Sequence, residues 1–247
     1  MSGHSKWATI RRDKEKTDAA RGRTFSKLIK EITIAARTGG GDANGNPRLR
    51  TAIAAAKEAN MPATNIDRAI KKGTGELPGV TYEEVIYEAY GPGGTALLIE
   101  VTTDNRNRAV ADIRHIIQKN GGNMGESGSV AWMFQRKGVI SLPSNSIDED
   151  SLMLAALDAG AEDVKSEDDF FQVMTPSEKL EPVRAALESG GFKIASAELA
   201  QLPQTYIPVS SDQARSVIRL MEALDEHDDV QKVWSNFDIP DELMAAL

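Results

Sequence analysis

Between residues 138 and 202 the chain writes one short pattern twice. Ala155-Ala156-Leu157-Asp158-Ala159-Gly160 matches Ala185-Ala186-Leu187-Glu188-Ser189-Gly190 at an offset of 30, and Val164 and Ser166 match Ile194 and Ser196 at the same spacing. Each copy reads strand–helix–strand, starting near Val139 and Phe171. Ser146 and Glu149 have the spacing of a capping box for the first helix, while Thr175 and Pro176 open the second, where Pro182 implies a late start or a kink. A single unit of this size cannot cover its own apolar face. Two of them make β-α-β-β-α-β, the ferredoxin-like arrangement.

The flanking segments constrain each other in turn. From Val80 the apolar period shifts toward two, giving strands over Tyr82–Tyr90 and Thr95–Thr103 around the turn Gly91-Pro92-Gly93-Gly94. Asp104 or Asn105 caps a helix with Val110, Ile113 and Ile117 inward, closed by Asn120-Gly121-Gly122, and Ser129–Phe134 reads as a further strand. Ser210–Glu226 forms a helix and Val230–Phe237 a strand. That last pair is too small to fold alone. It either completes the earlier β-β-α-β layer around the inserted repeat or packs on the repeat itself, and the first arrangement is the one expected. The predicted class is therefore α+β, with an N-terminal three-helix domain and two ferredoxin-like α/β sandwiches. The expected domains are 1–76, a basic helical domain with an N-terminal arm; 77–136 plus 205–247, discontinuous; and 137–204, inserted.

Charge divides along the same boundaries. The net formal charge of −8 conceals +9 over residues 1–75 and −17 over the remainder. Such segregation points to a polyanion-binding module on an acidic body. Lys6, Arg11, Arg12, Lys14, Lys16 and Arg21 crowd an arm that lacks a sustained apolar stripe. From Arg23 a helix buries Phe25, Leu28, Ile29, Ile32 and Ala36, and carries Arg23, Lys27, Lys30 and Arg37 on another face, with Ile34 interrupting them. After the loop Thr38–Asn46, Asn46 caps a second helix with Pro47 first in it; Arg48, Arg50 and Lys57 are available outward. Thr64 and Asp67 have capping-box spacing for a third helix, expected to end at Lys71-Lys72-Gly73, where the lysines either compensate the helix dipole or bind anions. Trp7 can stack on a base or anchor the arm to its own domain. Arg106 and Arg108 exceed what helix capping requires; they extend a phosphate-binding surface or pair with nearby carboxylates.

Chemistry is harder to find. Zero cysteine excludes disulfides, thiolate metal sites and cysteine nucleophiles, and fits a reducing compartment. Asp42, Asn44 and Asn46 have calcium-loop spacing, but Pro47 and Ile53 stand where the turn glycine and the bidentate glutamate belong. No phosphate loop, dinucleotide fingerprint or nucleophile elbow occurs, and His4, His115 and His227 lie in separate segments. The acidic pairs Asp168-Asp169 and Asp228-Asp229 lie near expected turns and read as solvated. No enzyme, cofactor, metal or small-molecule substrate is expected. With no apolar run approaching a membrane span and no secretory signal, a soluble cytoplasmic protein is expected.

Several runs together resemble a known family. Gly3-His4-Ser5-Lys6-Trp7-Ala8, Gly39-Gly40-Gly41-Asp42, Asn46-Pro47-Arg48-Leu49-Arg50, Tyr90-Gly91-Pro92-Gly93-Gly94-Thr95, Asp104-Asn105-Arg106-Asn107-Arg108 and Gly128-Ser129-Val130-Ala131 are similar to the YebC family. The resemblance spans essentially the whole chain. It implies three domains with a discontinuous middle one, and a probable DNA-binding transcriptional regulator. Mitochondrial relatives are translational activators, and bacterial members are linked to ribosomes stalled on proline-rich chains. The resemblance therefore leaves a ribosomal-RNA-associated translation factor as the alternative. The expected nucleic-acid contacts are Lys6, Trp7, Arg11, Arg12, Lys14, Lys16, Arg21, Arg23, Lys27, Lys30, Arg37, Arg48, Arg50, Arg106 and Arg108.

Overall fold

Asn46 organises the first turn of the basic segment. Its side-chain amide donates to the carbonyls of Ala35 and Gly40 at 2.8 and 2.9 Å, while its Oδ1 accepts from the Leu49 amide at 3.1 Å. One residue thus stops the helix α1 (Asp18–Gly39) and starts α2 (Pro47–Glu58). These helices and α3 (Ala63–Thr74) enclose Ile32, Ala36, Leu49, Ala52, Ala56, Ile66 and Ala69, with Phe25, Leu28 and Ile29 packed against them. The computed structural model describes residues 18–145, 147–167 and 170–239.

The start of α3 differs from the capping box expected at Thr64 and Asp67. Pro62 precedes the helix, no side chain caps it, and it ends at Thr74, one residue beyond Gly73, with the left-handed Gly75 following. Gly73 is instead a contact residue. A Cβ there would collide with the Thr33 carbonyl and the Ala36 methyl of α1, so α3 can approach α1 closely only without a side chain.

The next layer is a sheet of order β3-β1-β2-β9, built from β1 (Glu83–Tyr90), β2 (Ala96–Thr103), β3 (Asn123–Met124) and β9 (Val230–Ser235). Helices α4 (Arg106–Lys119) and α7 (Ser211–Asp225) cover it. Ala109, Ile113 and Ile117 from α4 and Val217, Leu220, Met221 and Leu224 from α7 meet Tyr87, Ala89, Leu97, Ile99 and Val101. The last helix and strand therefore do complete the earlier β-β-α-β layer. A short parallel pair, β8 (Ile207–Pro208) with β10 (Phe237–Asp238), borders this unit.

The strand expected over Ser129–Phe134 does not form. The buried Glu88 carboxylate accepts the amides of Gly128, Val130 and Ala131 at 2.6, 2.7 and 2.8 Å, so that backbone bonds to a side chain rather than a neighbouring strand. Burial works to raise the Glu88 carboxyl, but the three amides hold it below its ordinary range.

Residues 132–205 form a second compact unit. Its antiparallel sheet has the order β5-β6-β4-β7, with β4 (Phe134–Pro143), β5 (Asp163–Glu167), β6 (Phe170–Pro176) and β7 (Ser196–Pro203), which is the ferredoxin-like order. Helices α5 (Glu149–Asp158) and α6 (Leu180–Ser189) cover one face. Asp148 caps α5 by accepting the Ser151 amide, and Ser146, expected in that role, lies outside the described residues. The helices of the two copies correspond at an offset of 31, not 30. Gly160 bonds to the Leu157 carbonyl as Gly191 does to Glu188, and Ala161 bonds to Ala156 as Phe192 does to Leu187. The left-handed residue of the second copy is accordingly Gly191, one beyond the glycine that the letters align.

Buried charge ties α1 to the first sandwich. Lys30 Nζ lies 2.6 Å from Asp229 Oδ1 and also donates to the Asp228 carbonyl at 2.8 Å. Asp229 Oδ2 accepts from the Thr103 hydroxyl at 2.9 Å and from Arg108 at 3.0 Å. The expectation of a solvated Asp228-Asp229 pair fails for Asp229, which is only 4% exposed. Burial alone would raise its carboxyl; hydrogen bonds from Lys30, Arg108 and Thr103 overcome that and depress it.

Two outcomes are expected. Gly73→Ala should destabilise the protein by about 1–3 kcal/mol in urea unfolding, because backbone must shift to admit the methyl. Asp229→Asn should cost about 3 kcal/mol, since it strands a buried ammonium. Because the Asp229 carboxyl is depressed in the folded state, its contribution is complete above the unfolded carboxylate value of about 3.9 and is lost as pH falls through the lower folded value. The acid limb of stability against pH should be shallower in the Asn variant.

Candidate nucleic-acid interface

The basic segment sorts its cations into two groups. The first faces carboxylates. Lys27 Nζ lies 3.0 Å from Asp225 Oδ1 and donates to the Asp225 carbonyl at 2.7 Å. Lys30 is locked on Asp229 and lies 5.8 Å from the Tyr82 ring centroid. Arg48 lies between Glu31 and Glu84, with its Nε 2.7 Å from Glu31 and its Nη1 3.1 Å from Glu84. Those two carboxylates hold the guanidinium above its ordinary value, so it stays charged at every accessible pH. Arg108 meets Asp104 at 2.8 Å as well as Asp229, and Arg23 approaches Glu226 at 3.8 Å. A cation held this way must give up its partner before it can meet phosphate. Lys30, buried as well, is therefore an interdomain anchor.

The second group points to solvent. Among the described residues Arg37 touches only the Tyr82 carbonyl and the Thr81 hydroxyl, and Arg50 only the Ala43 carbonyl. Arg106 is exposed at the start of α4, where Asn105 caps the helix by accepting the Arg108 amide at 3.1 Å. Arg21, exposed on the first turn of α1, has an interaction of its own and belongs to neither group. Lys6, Trp7, Arg11, Arg12, Lys14 and Lys16 lie outside the described residues.

Two further helix faces belong with this group. Arg50 and Lys57 are seven residues apart on α2, hence on one side, and Lys57 is exposed. Arg68 and Lys72 stand at i and i+4 on α3, and both are exposed. Arg68 was not among the residues expected from sequence, although its spacing from Lys72 was a usable signal. Lys71 differs, being paired with Asp67 at 2.9 Å on the same helix. The exposed cations of α2 and α3 are long, hydrated donors suited to phosphate oxygens, and they come without an accompanying set of base-edge readers.

Among the described residues no grouping of catalytic side chains accompanies them. His115 is exposed on α4, and His227 Nε2 lies 3.6 Å from Asp112. Among the described residues no cluster of three or more His, Cys, Asp or Glu side chains is placed to hold a metal ion. No described helix is long and apolar enough to cross a membrane.

Comparison with known proteins bears on the whole length. Residues 5–76 match the profile of the TACO1/YebC protein N-terminal domain, and residues 82–237 that of the TACO1/YebC second and third domain. A probable transcriptional regulatory protein of Desulfosudis oleivorans is 57% identical over all of both chains. One of the same description from Chlorobaculum tepidum is 55% identical, covering all of this chain and 99% of the other. The crystal structure of a conserved hypothetical protein from Aquifex aeolicus superposes with a TM-score of 0.85 at 48% identity, covering 92% of this chain and 94% of that one. With both profiles, full-length relatives and the fold in agreement, the chain belongs to the TACO1/YebC family.

Proposed function

We propose that this chain is a non-enzymatic regulatory protein that binds DNA in the cytoplasm and acts in transcription. Its relatives carry the description of probable transcriptional regulatory proteins. The observation that carries the reading is the segregation of charge: +9 over the first 75 residues, with exposed cations on α2 and α3, against −17 elsewhere. The arm residues Lys6, Arg11, Arg12, Lys14 and Lys16, together with Arg21, Arg37, Arg50, Lys57, Arg68, Lys72 and Arg106, form the proposed phosphate-contacting set. Trp7 adds a stacking surface. Lys27, Lys30 and Arg48 fix the helical domain to the sandwich through carboxylates, and Arg108 steadies Asp229 within the sandwich. The acidic remainder repels polyanions and turns the basic end toward them.

Phosphate contacts alone do not separate duplex DNA from ribosomal RNA, so the experiment must. With about five phosphates contacted, the logarithm of affinity for duplex DNA should fall against the logarithm of salt with a slope of about −4.5, or about −3.5 on a single strand. A flat response would remove the phosphate-contact account. Replacing Arg50, Arg68 and Lys72 together by alanine should make the slope shallower and weaken binding to unrelated sequences alike, whereas Lys27→Ala should lower stability and leave the slope unchanged. Comigration of the protein with ribosomal subunits at moderate salt, without binding to duplex DNA, would replace the transcriptional reading with a translational one.

A further inference from the structure

Helix α5 of the inserted sandwich has an apolar outer face that its fold does not require. Leu152 and Ala156 point into the core and are fully buried. Met153, Leu154 and Leu157 turn outward, at 37%, 66% and 48% exposure. The twin helix α6 supplies an internal control. The shared backbone bonds equate Leu152 with Val183 and Ala156 with Leu187, both pairs buried. The positions equivalent to Met153, Leu154 and Leu157 are then Arg184, Ala185 and Glu188. On α6, Arg184 pairs with Glu188 and Glu181, each at 2.9 Å, and the face is solvated. The same architecture therefore tolerates charge at two of the three positions, and a small residue at the third, where α5 carries large apolar side chains.

The surroundings of that face are acidic. Asp148, Glu149 and Asp150 stand at one end of α5 and Asp158 at the other, all exposed. The first three favour the helix dipole; Asp158, in the last turn, opposes it and is not explained by helix stability. Residues 132–205 carry six Lys+Arg and thirteen Asp+Glu, a net of −7. An apolar strip between carboxylates repels nucleic acid and anionic lipid, and it complements apolar side chains flanked by lysine or arginine. A second copy of the chain is a poor occupant: two α5 faces would oppose carboxylate to carboxylate, and the apolar stripe of the basic helix α1 is already spent in its own core.

We propose that the Met153–Leu154–Leu157 face of α5 is a docking site for a cationic amphipathic helix of another protein. The three side chains enter the partner's apolar stripe, and the flanking carboxylates meet its basic rim. This site does not depend on the nucleic-acid reading, since it lies in the inserted sandwich and would stand if that reading fell.

The test uses the full chain and a fluorescein-labelled amphipathic Leu/Lys peptide of about four helical turns, followed by anisotropy. The expected result is saturable binding that weakens with salt and falls at least about tenfold in the charge-neutral variant Leu154→Ser/Leu157→Ser. The matching change on the twin helix, Ala185→Ser, should leave it unaltered. Equal binding by the wild type and the double variant would show attraction to net charge alone and overturn the proposal. Amide shift mapping on the wild-type protein removes any dependence on variant folding: perturbations centred on residues 148–158 support the site, and perturbations centred elsewhere reject it. Self-association abolished by the double variant, or binding to phosphatidylglycerol vesicles through this face, would also overturn it.

Discussion

The ammonium of Lys30 against the carboxylate of Asp229 is the contact on which the placement of the basic helices depends. It joins residues 199 positions apart, is nearly dry on both sides, and is completed by Arg108, Thr103 and the Asp228 carbonyl. A buried pair of this kind adds little net stability over an apolar substitute, but it is intolerant of misalignment. Arg48, held between Glu31 and Glu84, adds a second, more exposed tie at another point of the bundle. Together they give the helical domain one orientation on the sheet, which apolar packing by a small alanine-rich core would specify less sharply.

This arrangement changes what the charge map means. In the linear chain, acidic residues after position 75 look like a counterweight to the basic segment. In the folded molecule some of them, Asp225 and Asp229 above all, neutralise particular cations on α1, while others set a negative field around the inserted sandwich. Exposed cations remain on α2 and α3, at Arg50, Lys57, Arg68 and Lys72, and beside them at Arg37 and Arg106. The proposed nucleic-acid face is thus defined by subtraction.

Much of the architecture was legible because it is written in local patterns. The doubled strand–helix–strand unit, the Asn46-Pro47 helix start and the incomplete β-β-α-β layer all follow from periodicity and chain economy, and the observed fold keeps them. The repeat was aligned one residue short, because Gly160 and Gly190 match as letters while hydrogen bonding equates Gly160 with Gly191. What sequence could not show is pairing between distant residues. Nothing near Lys27 or Lys30 announces Asp225 or Asp229, and nothing around Glu88 tells that its carboxylate will displace a strand at residues 129–134. Helix spacing identifies which lysines share a face, but whether that face meets water or a carboxylate is decided by tertiary packing.

The interruption of the first sandwich has a consequence for biosynthesis. Its central strand β2 is made early, yet its neighbour β9 follows only after the whole inserted unit has been synthesised. Chains emerge from the N-terminus onward, at about 5–20 residues per second. For about 10–40 s at that rate, then, a nascent molecule displays α1 without the carboxylates that later claim Lys27 and Lys30. During that interval it is a more cationic species than the finished protein, attached to a particle built largely of RNA. Completion of the chain is also the event that hides this extra charge.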